Sequence, residues 1–323
     1  MHHTVLITRP ILEPGFSILK KNSDVVLPER PPAKEELVCL VRDVDALVCH
    51  LTDKIDRDVI RAANKLKVIS TVSVGVDHID VEEATKRGIP VAYTPEVLTE
   101  ATADLTWALI LATCRRVVEG DRLVREGKWK GWSIDFMLGH EVFGSTLGII
   151  GMGRIGQAVA RRAKGFGMKV IYYSRRRKPE VEKELGVEYR ELDDLLREAD
   201  VVSVNVALTP ETYHLIDERK LKLMKRNAVL INTARGSVID EKALIKALKE
   251  GWIAGAGLDV FEKEPLPPDS PLVKMENVVL TPHIGSASYR TRAKMSEIAA
   301  LNVVKALRGE KPIYVFNEEI YKK

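Results

Sequence analysis

Three polar side chains, Arg235, Glu264 and His283, each follow a short apolar run that reads as a strand: 229–232, 254–258 and 278–281. Taken singly, each has a plain structural explanation: a helix-capping charge, a solvated acidic loop, a turn residue after Pro282. Together they supply what hydride transfer to a 2-oxo acid requires. A guanidinium holds a carboxylate with a planar pair of donors. An imidazole protonates a carbonyl oxygen near neutral pH. A carboxylate orients that imidazole and stabilises its charged form.

Such a trio needs a redox partner beside it, and the stretch 146–177 provides the place. Residues 146–150 form an apolar run of strand length, and Gly151-x-Gly153-x-x-Gly156 follows at once. Ile155, Val159, Ala160, Ala163 and Phe166 then recur at helical spacing, Gly167 closes the helix, and 169–173 is the next strand. Strand, glycine loop, helix and strand make the dinucleotide-binding context. Gly151 permits the tight turn, Gly153 lets backbone approach a pyrophosphate, and Gly156 lets helix and strand pack closely. The helix N-terminus offers free N–H groups to the anion. An acid that would bind ribose hydroxyls is missing beyond the second strand, where Ser174-Arg175-Arg176-Arg177 stands instead. Guanidinium groups pair with a 2′-phosphate that a carboxylate would repel, so the sequence favours NADP(H), with NAD(H) possible. A solvated basic turn, or arginines stacking on adenine, is the competing reading.

The rest of the chain alternates in the same way. Strand-like runs at 5–8, 25–27, 46–49, 68–71 and 91–93 are separated by helical patterns at 34–41, 56–63 and 81–86. That alternation predicts a parallel sheet covered on both faces. No glycine fingerprint occurs there, but the loop Ser73–Asp77 sits at a strand end, and the backbone of Val74 and Gly75 is free to meet a carboxylate. Residues 101–120 read as one long helix, apolar nearly all round through Cys114 and therefore buried between domains or subunits. Trp129 and Trp132 follow in a polar loop. Beyond the fingerprint unit come a helix at 192–197, a strand at 201–207, and a helix capped by Asp240 and stopped by Gly251. A final helix over 287–308 ends at Gly309, and its apolar tail, 313–316, suggests that it packs back on the first domain.

Composition bounds the answer. At 323 residues, two domains are expected, and 45% hydrophobic with 30% charged residues is globular. A net charge of +4 gives no case for nucleic acid. Three scattered cysteines form no disulfide framework, and the histidines show no metal-ligand spacing, so no metal is expected. No signal peptide opens the chain, and its most apolar stretch is too short to span a bilayer. A cytoplasmic protein is the expectation.

Asn232-Thr233-Ala234-Arg235-Gly236, then Gly257 to Pro265, then Pro282-His283-Ile284-Gly285-Ser286, in that order, resemble the D-isomer-specific 2-hydroxyacid dehydrogenases. The likeness spans essentially the whole chain and is greatest to the branch that reduces glyoxylate and hydroxypyruvate. It implies an α/β protein of two doubly wound parallel-sheet domains with a cleft between them. A flavodoxin-like substrate domain would comprise 1–98 plus 287–323, and a Rossmann cofactor domain 99–286. Arg235 matches the substrate-binding arginine, Glu264 the carboxylate paired with the histidine, and His283 the proton donor. Val74 and Gly75 match the loop for the substrate carboxylate. Gly151, Gly153, Arg154, Ile155 and Gly156 match the pyrophosphate loop, and Ser174, Arg175 and Arg176 the adenosine-side selector. Asp259 matches the residue near the nicotinamide carboxamide, and Thr102, Thr233, Ala234 and Gly285 complete the expected cofactor contacts. The resemblance implies a homodimer joined near the long helix. Phosphoglycerate dehydrogenase is the rival enzyme, and a dinucleotide-sensing corepressor the rival of another class.

Overall fold

The computed structural model describes residues 3–322. Contacts divide the chain into two compact units, one running to Leu98 and resuming at Ser286, the other Thr99–Gly285.

The first unit holds five strands: β1 (Thr4–Ile7), β2 (Asp24–Val26), β3 (Ala46–Cys49), β4 (Val68–Thr71) and β5 (Val91–Ala92). They lie in the order β2-β1-β3-β4-β5 and every pair is parallel. This is the 2-1-3-4-5 doubly wound order. β3 and β4 are buried at every residue, which is why they read as unbroken apolar runs. One face is covered by Leu37, Val41, Val59, Ile60 and Ala84, from the helices between strands. The other is covered by Leu19 of helix Gly15–Asn22 and by Ala300, Val303 and Val304 of helix Tyr289–Leu307. Buried Asn302 and Asn317 seat the chain after that helix: Asn302 Oδ1 accepts from Ile313 N, and Asn317 Oδ1 from Val91 N.

The second unit holds seven: β6 (Thr146–Ile150), β7 (Lys169–Tyr173), β8 (Glu188–Tyr189), β9 (Val201–Val204), β10 (Val229–Asn232), β11 (Gly255–Leu258) and β12 (Val278–Leu280). Their order is β12-β11-β10-β9-β6-β7-β8, again all parallel. Six of them reproduce the 3-2-1-4-5-6 order, with β12 added at one edge, and the order reverses between β6 and β9. The register aligns Ile150, Val204, Asn232, Leu258 and Leu280 across the sheet. The loops that follow these residues therefore open on one edge.

The expected helix over 101–120 is two helices, Thr99–Cys114 and Val117–Arg125. Arg116 takes a left-handed conformation, φ 53°, between them. The break has a tertiary cause: the carbonyl of Cys114 is claimed by the backbone N–H of His140, at 2.8 Å, so the first helix ends there. The strand expected over 201–207 stops at Val204: the bond from Asn205 N to Ile150 O, at 2.7 Å, is its last to β6, which itself ends at Ile150 where the glycine loop begins.

Candidate active site

At the start of helix Arg154–Ala163, three glycines do three different things. Gly151 has φ +100°, and a side-chain carbon there would stand 2.6 Å from Asn205 O. At Gly156 such an atom would collide with Gly151 O, so glycine is what lets the helix sit on its own loop. At Gly153 it would meet nothing within 4 Å. Gly153 also caps the helix without a side-chain bond. An open approach to uncapped N–H groups is the environment that suits a pyrophosphate. Arg154 is exposed beside it and Ile155 half-buried.

Gly151 N donates to Tyr173 O at 2.8 Å, which binds the glycine loop to the end of β7 and hence to Ser174. The three arginines that follow are not equivalent. Arg177 forks onto Glu182, Nε and Nη2 both at 2.8 Å, and the same carboxylate accepts from Tyr172 Oη at 2.8 Å. Arg175 and Arg176 are exposed, and Ser174 Oγ donates to Arg176 O at 2.6 Å.

Further along the same edge, buried Asn232 shapes the turn after β10. Its Oδ1 accepts from Ala234 N at 3.0 Å, and its Nδ2 donates to Arg235 O at 2.9 Å. Thr233 Oγ1 lies 2.8 Å from Thr106 Oγ1, which also contacts the carbonyl of buried Thr102. Arg235 is extended and half-buried, and its Nη1 donates to Ala234 O. Gly236 lies so close to the Phe261 carbonyl group that no side chain fits between them. That approach brings the Arg235 turn against the turn bearing Glu264.

His283 has φ +53°, a conformation rare for a residue with a side chain and concentrated at functional sites. Its backbone N–H donates to Asp259 O at 2.9 Å. Its Nδ1 lies 2.7 Å from Glu264 Oε2. Since an ionised carboxylate only accepts, Nδ1 carries hydrogen and Nε2 is left for exchange. Glu264 Oε1 accepts from Phe261 N at 3.1 Å. Burial pushes the Glu264 carboxyl upward, but the bond and charge of His283, the Phe261 N–H and Arg235 outweigh it and hold it below the usual range.

Asp259, 1% exposed, holds the histidine's turn. Its Oδ1 accepts from Thr281 Oγ1 at 2.6 Å and Ile284 N at 2.8 Å, and its Oδ2 from Gly285 N at 2.8 Å. Burial pushes this carboxyl up, against the pull of those donors and of His283. Asn232, Gly236 and Phe261 are contributors that a search for chemical side chains passes over. Their only signal in the sequence is their place beside Arg235 and Glu264.

Val74 and Gly75 belong to the first unit and follow β4 at its carboxyl edge, half-buried. Ser73 Oγ, 2.7 Å from Thr71 Oγ1, donates to Gly75 O at 2.7 Å and fixes the loop.

Comparison with known proteins gives the class. The sequence pattern of the D-isomer specific 2-hydroxyacid dehydrogenase, NAD binding domain, matches residues 107–285. The chain belongs to the D-isomer specific 2-hydroxyacid dehydrogenases, and is an oxidoreductase working between 2-oxo and 2-hydroxy acids. More particularly, it is 57% identical to the glyoxylate reductase of Korarchaeum cryptofilum, over 100% of this chain and 98% of that one. It is 55% identical to the glyoxylate reductase of Pyrococcus horikoshii, again over 100% and 98%. Among solved structures, the TT0316 protein from Thermus thermophilus is 48% identical with a TM-score of 0.91, covering 97% of this chain and 99% of that one. The NADPH-dependent glyoxylate/hydroxypyruvate reductase from Sinorhizobium meliloti, in complex with NADP and malonate, is 33% identical with a TM-score of 0.87, covering 98% of each. Among the described residues no helix is long and apolar enough to cross a membrane.

Proposed function

We propose that this protein reduces glyoxylate and hydroxypyruvate to glycolate and D-glycerate, with NADPH as the preferred reductant and His283 as proton donor. The observation that carries this reading is the 2.7 Å contact between His283 and Glu264, on the same sheet edge as the glycine loop. The names of the relatives at 55–57% identity support the substrate.

Gly151, Gly153, Arg154, Ile155 and Gly156 would hold the pyrophosphate, and Ser174, Arg175 and Arg176 the 2′-phosphate. Thr102, Thr233, Ala234, Asp259 and Gly285 would line the nicotinamide end. When bound, the nicotinamide supplies the hydride. Arg235 clamps the substrate carboxylate through its planar fork, and the backbone of Val74 and Gly75 is the substrate-carboxylate loop that the resemblance implies. Glu264 keeps hydrogen on Nδ1, so the proton that His283 gives to the carbonyl oxygen leaves from Nε2.

The test is oxidation of NADPH by the purified enzyme with glyoxylate, hydroxypyruvate or 3-phosphohydroxypyruvate. His283→Ala should lower kcat by about 10²–10⁴, the usual worth of general acid catalysis. Arg235→Lys should leave KM for glyoxylate raised, since an ammonium lacks the planar fork. Preference for the phosphorylated acid, or near-normal turnover of His283→Ala, would overturn the reading.

A homodimer belongs to the same proposal. Helix Val117–Arg125 buries none of its residues, and Val124, Trp129, Trp132, Ile134, Leu138 and Phe143 stand exposed on and after it. An apolar run of this length marks an interaction surface, and a second copy is the occupant that the resemblance implies. Sedimentation of a monomer at micromolar concentration would refute it.

A further inference from the structure

Among the described residues outside the trio, His214, Asp240 and Glu262 bring an imidazole nitrogen and two carboxylate oxygens within 4.8 Å of one another. His214 Nε2 lies 2.7 Å from Glu262 Oε1, while Nδ1 faces Asp240 Oδ2 at 4.0 Å. With a carboxylate at hydrogen-bond distance, Nε2 donates to Glu262 and offers no lone pair to a metal there. Asp240 Oδ1 is also engaged, as the cap that accepts from Ala243 N at 3.0 Å. Tyr213 stacks on the ring, centroids 4.0 Å apart.

Glu262 is joined to the next helix by a reciprocal clamp. Its Oε1 accepts from Glu241 N, and its own N–H donates to Glu241 Oε2, both at 3.1 Å. Burial raises the Glu241 carboxyl, and the Glu262 charge adds to the rise. Two mutually repelling carboxylates thus share this clamp with one imidazole. Two residues further along the chain, past Lys263, comes Glu264, the partner of His283.

We propose that His214 is a positioning residue for the reduction: its bond to Glu262 fixes the turn that ends in Glu264, and thereby the carboxylate that aligns His283. This rests on the reading of His283 as proton donor and Glu264 as its partner. The turn is tied down at Phe261 by the close approach of Gly236 and at Glu262 by Glu241 and His214. Removing the imidazole leaves Glu262 and Glu241 to repel each other, and the turn relaxes at the residue before Lys263-Glu264. Arg235 is held separately, by Asn232, and is not disturbed.

The experiment compares wild type, His214→Ala, His214→Gln and His283→Ala as full chains with saturating NADPH and varied glyoxylate, across pH. His214→Gln places an amide nitrogen where the ring Nε2 was. In His214→Ala, kcat should fall about tenfold, the scale of a sub-ångström misplacement, with KM little changed. The pH at which reduction is lost should also move down. The cause is geometric: the 2.7 Å contact of Glu264 with the proton-donating ring is loosened, and the reaction needs that proton. His214→Gln should recover most of both effects. If His214→Ala fails to fold, Glu262→Ala, which removes the same bond from the other side, should show the same fall in kcat and the same downward shift. A fall in kcat with no shift in pH profile, or no change in either, overturns the proposal. So does activity that is lost to EDTA and restored by zinc, which would make the cluster a cation site. If His283→Ala itself keeps its turnover, the proton-donor reading fails first; if it is inactive while His214→Ala is normal, only the positioning role fails.

Discussion

The cofactor selector gives the sharpest prediction, because three adjacent arginines have been sorted by their surroundings. Arg177 is occupied: both its contacts go to Glu182, which Tyr172 also holds. Arg175 and Arg176 remain on the exposed turn next to Ser174, one residue beyond the Tyr173 carbonyl that anchors Gly151. A 2′-phosphate there meets two guanidinium groups. Charge-assisted bonds contribute about 1.5–3 kcal/mol each when shielded, but exposed ion pairs contribute only about 0–1 kcal/mol. Two partly exposed contacts then sum to about 1.4–2.7 kcal/mol, a ten- to hundredfold preference for NADPH in kcat/KM. The double substitution Ser174→Asp with Arg175→Ala removes one contact and sets a carboxylate against the phosphate. At about 4 Å in water, each pair of unit charges costs about 1 kcal/mol, so a dianionic phosphate loses about 2 kcal/mol more. The preference should reverse toward NADH. Arg177→Ala alone should leave the ratio within about twofold, the scale of an exposed pair already spent on Glu182. The assay is glyoxylate reduction with each nucleotide in all three enzymes. A wild type that prefers NADH, or an Arg177→Ala that loses the preference, would refute this assignment of the arginines.

Other expectations follow from single contacts. Gly236→Ala drives a side chain into the Phe261 carbonyl group and should cost about 1–3 kcal/mol of stability together with kcat; unchanged melting and turnover would show that the two turns part freely. Asn317→Ala orphans Val91 N–H and the Ile89 carbonyl. At about 1–3 kcal/mol for each unsatisfied group, it should show a large drop in denaturant midpoint, and a near-neutral result would contradict the buried bonding. Glu264 has its carboxyl held down in the folded state. Its stabilisation is therefore complete above the unfolded value of about 4.3 and is lost as pH falls through the lower folded value. The melting difference between wild type and Glu264→Gln should be largest near neutral pH and vanish in acid; a difference that grows in acid would reverse the sign argued here.

Much of this architecture is written locally. β3, β4, β9 and β10 are buried along their whole length, so parallel pairing demands apolar runs that a reader can see. The glycine fingerprint is legible because each glycine answers a steric demand within a few residues, as Gly156 against Gly151 shows. Arg235, Glu264 and His283 were visible because their side chains are chemically unusual after a strand, and a parallel sheet gathers strand ends on one edge. What depends on residues distant in the chain was not legible. Helix Gly15–Asn22 begins without a side-chain cap and is held by packing on helix Tyr289–Leu307, nearly the whole chain away. The end of the helix at Cys114 is decided by the N–H of His140, not by any breaker in 101–120. Arg175, Arg176 and Arg177 are identical letters until Glu182 takes one of them. His214 carries no local sign of chemistry and gains its place only because Glu262, 48 residues on, is folded against it. Sequence alone determines what a segment must bury and which groups it carries; which of two equivalent groups is left for a ligand is settled by long-range contacts, since a hydrogen bond spent on one partner is not available to another.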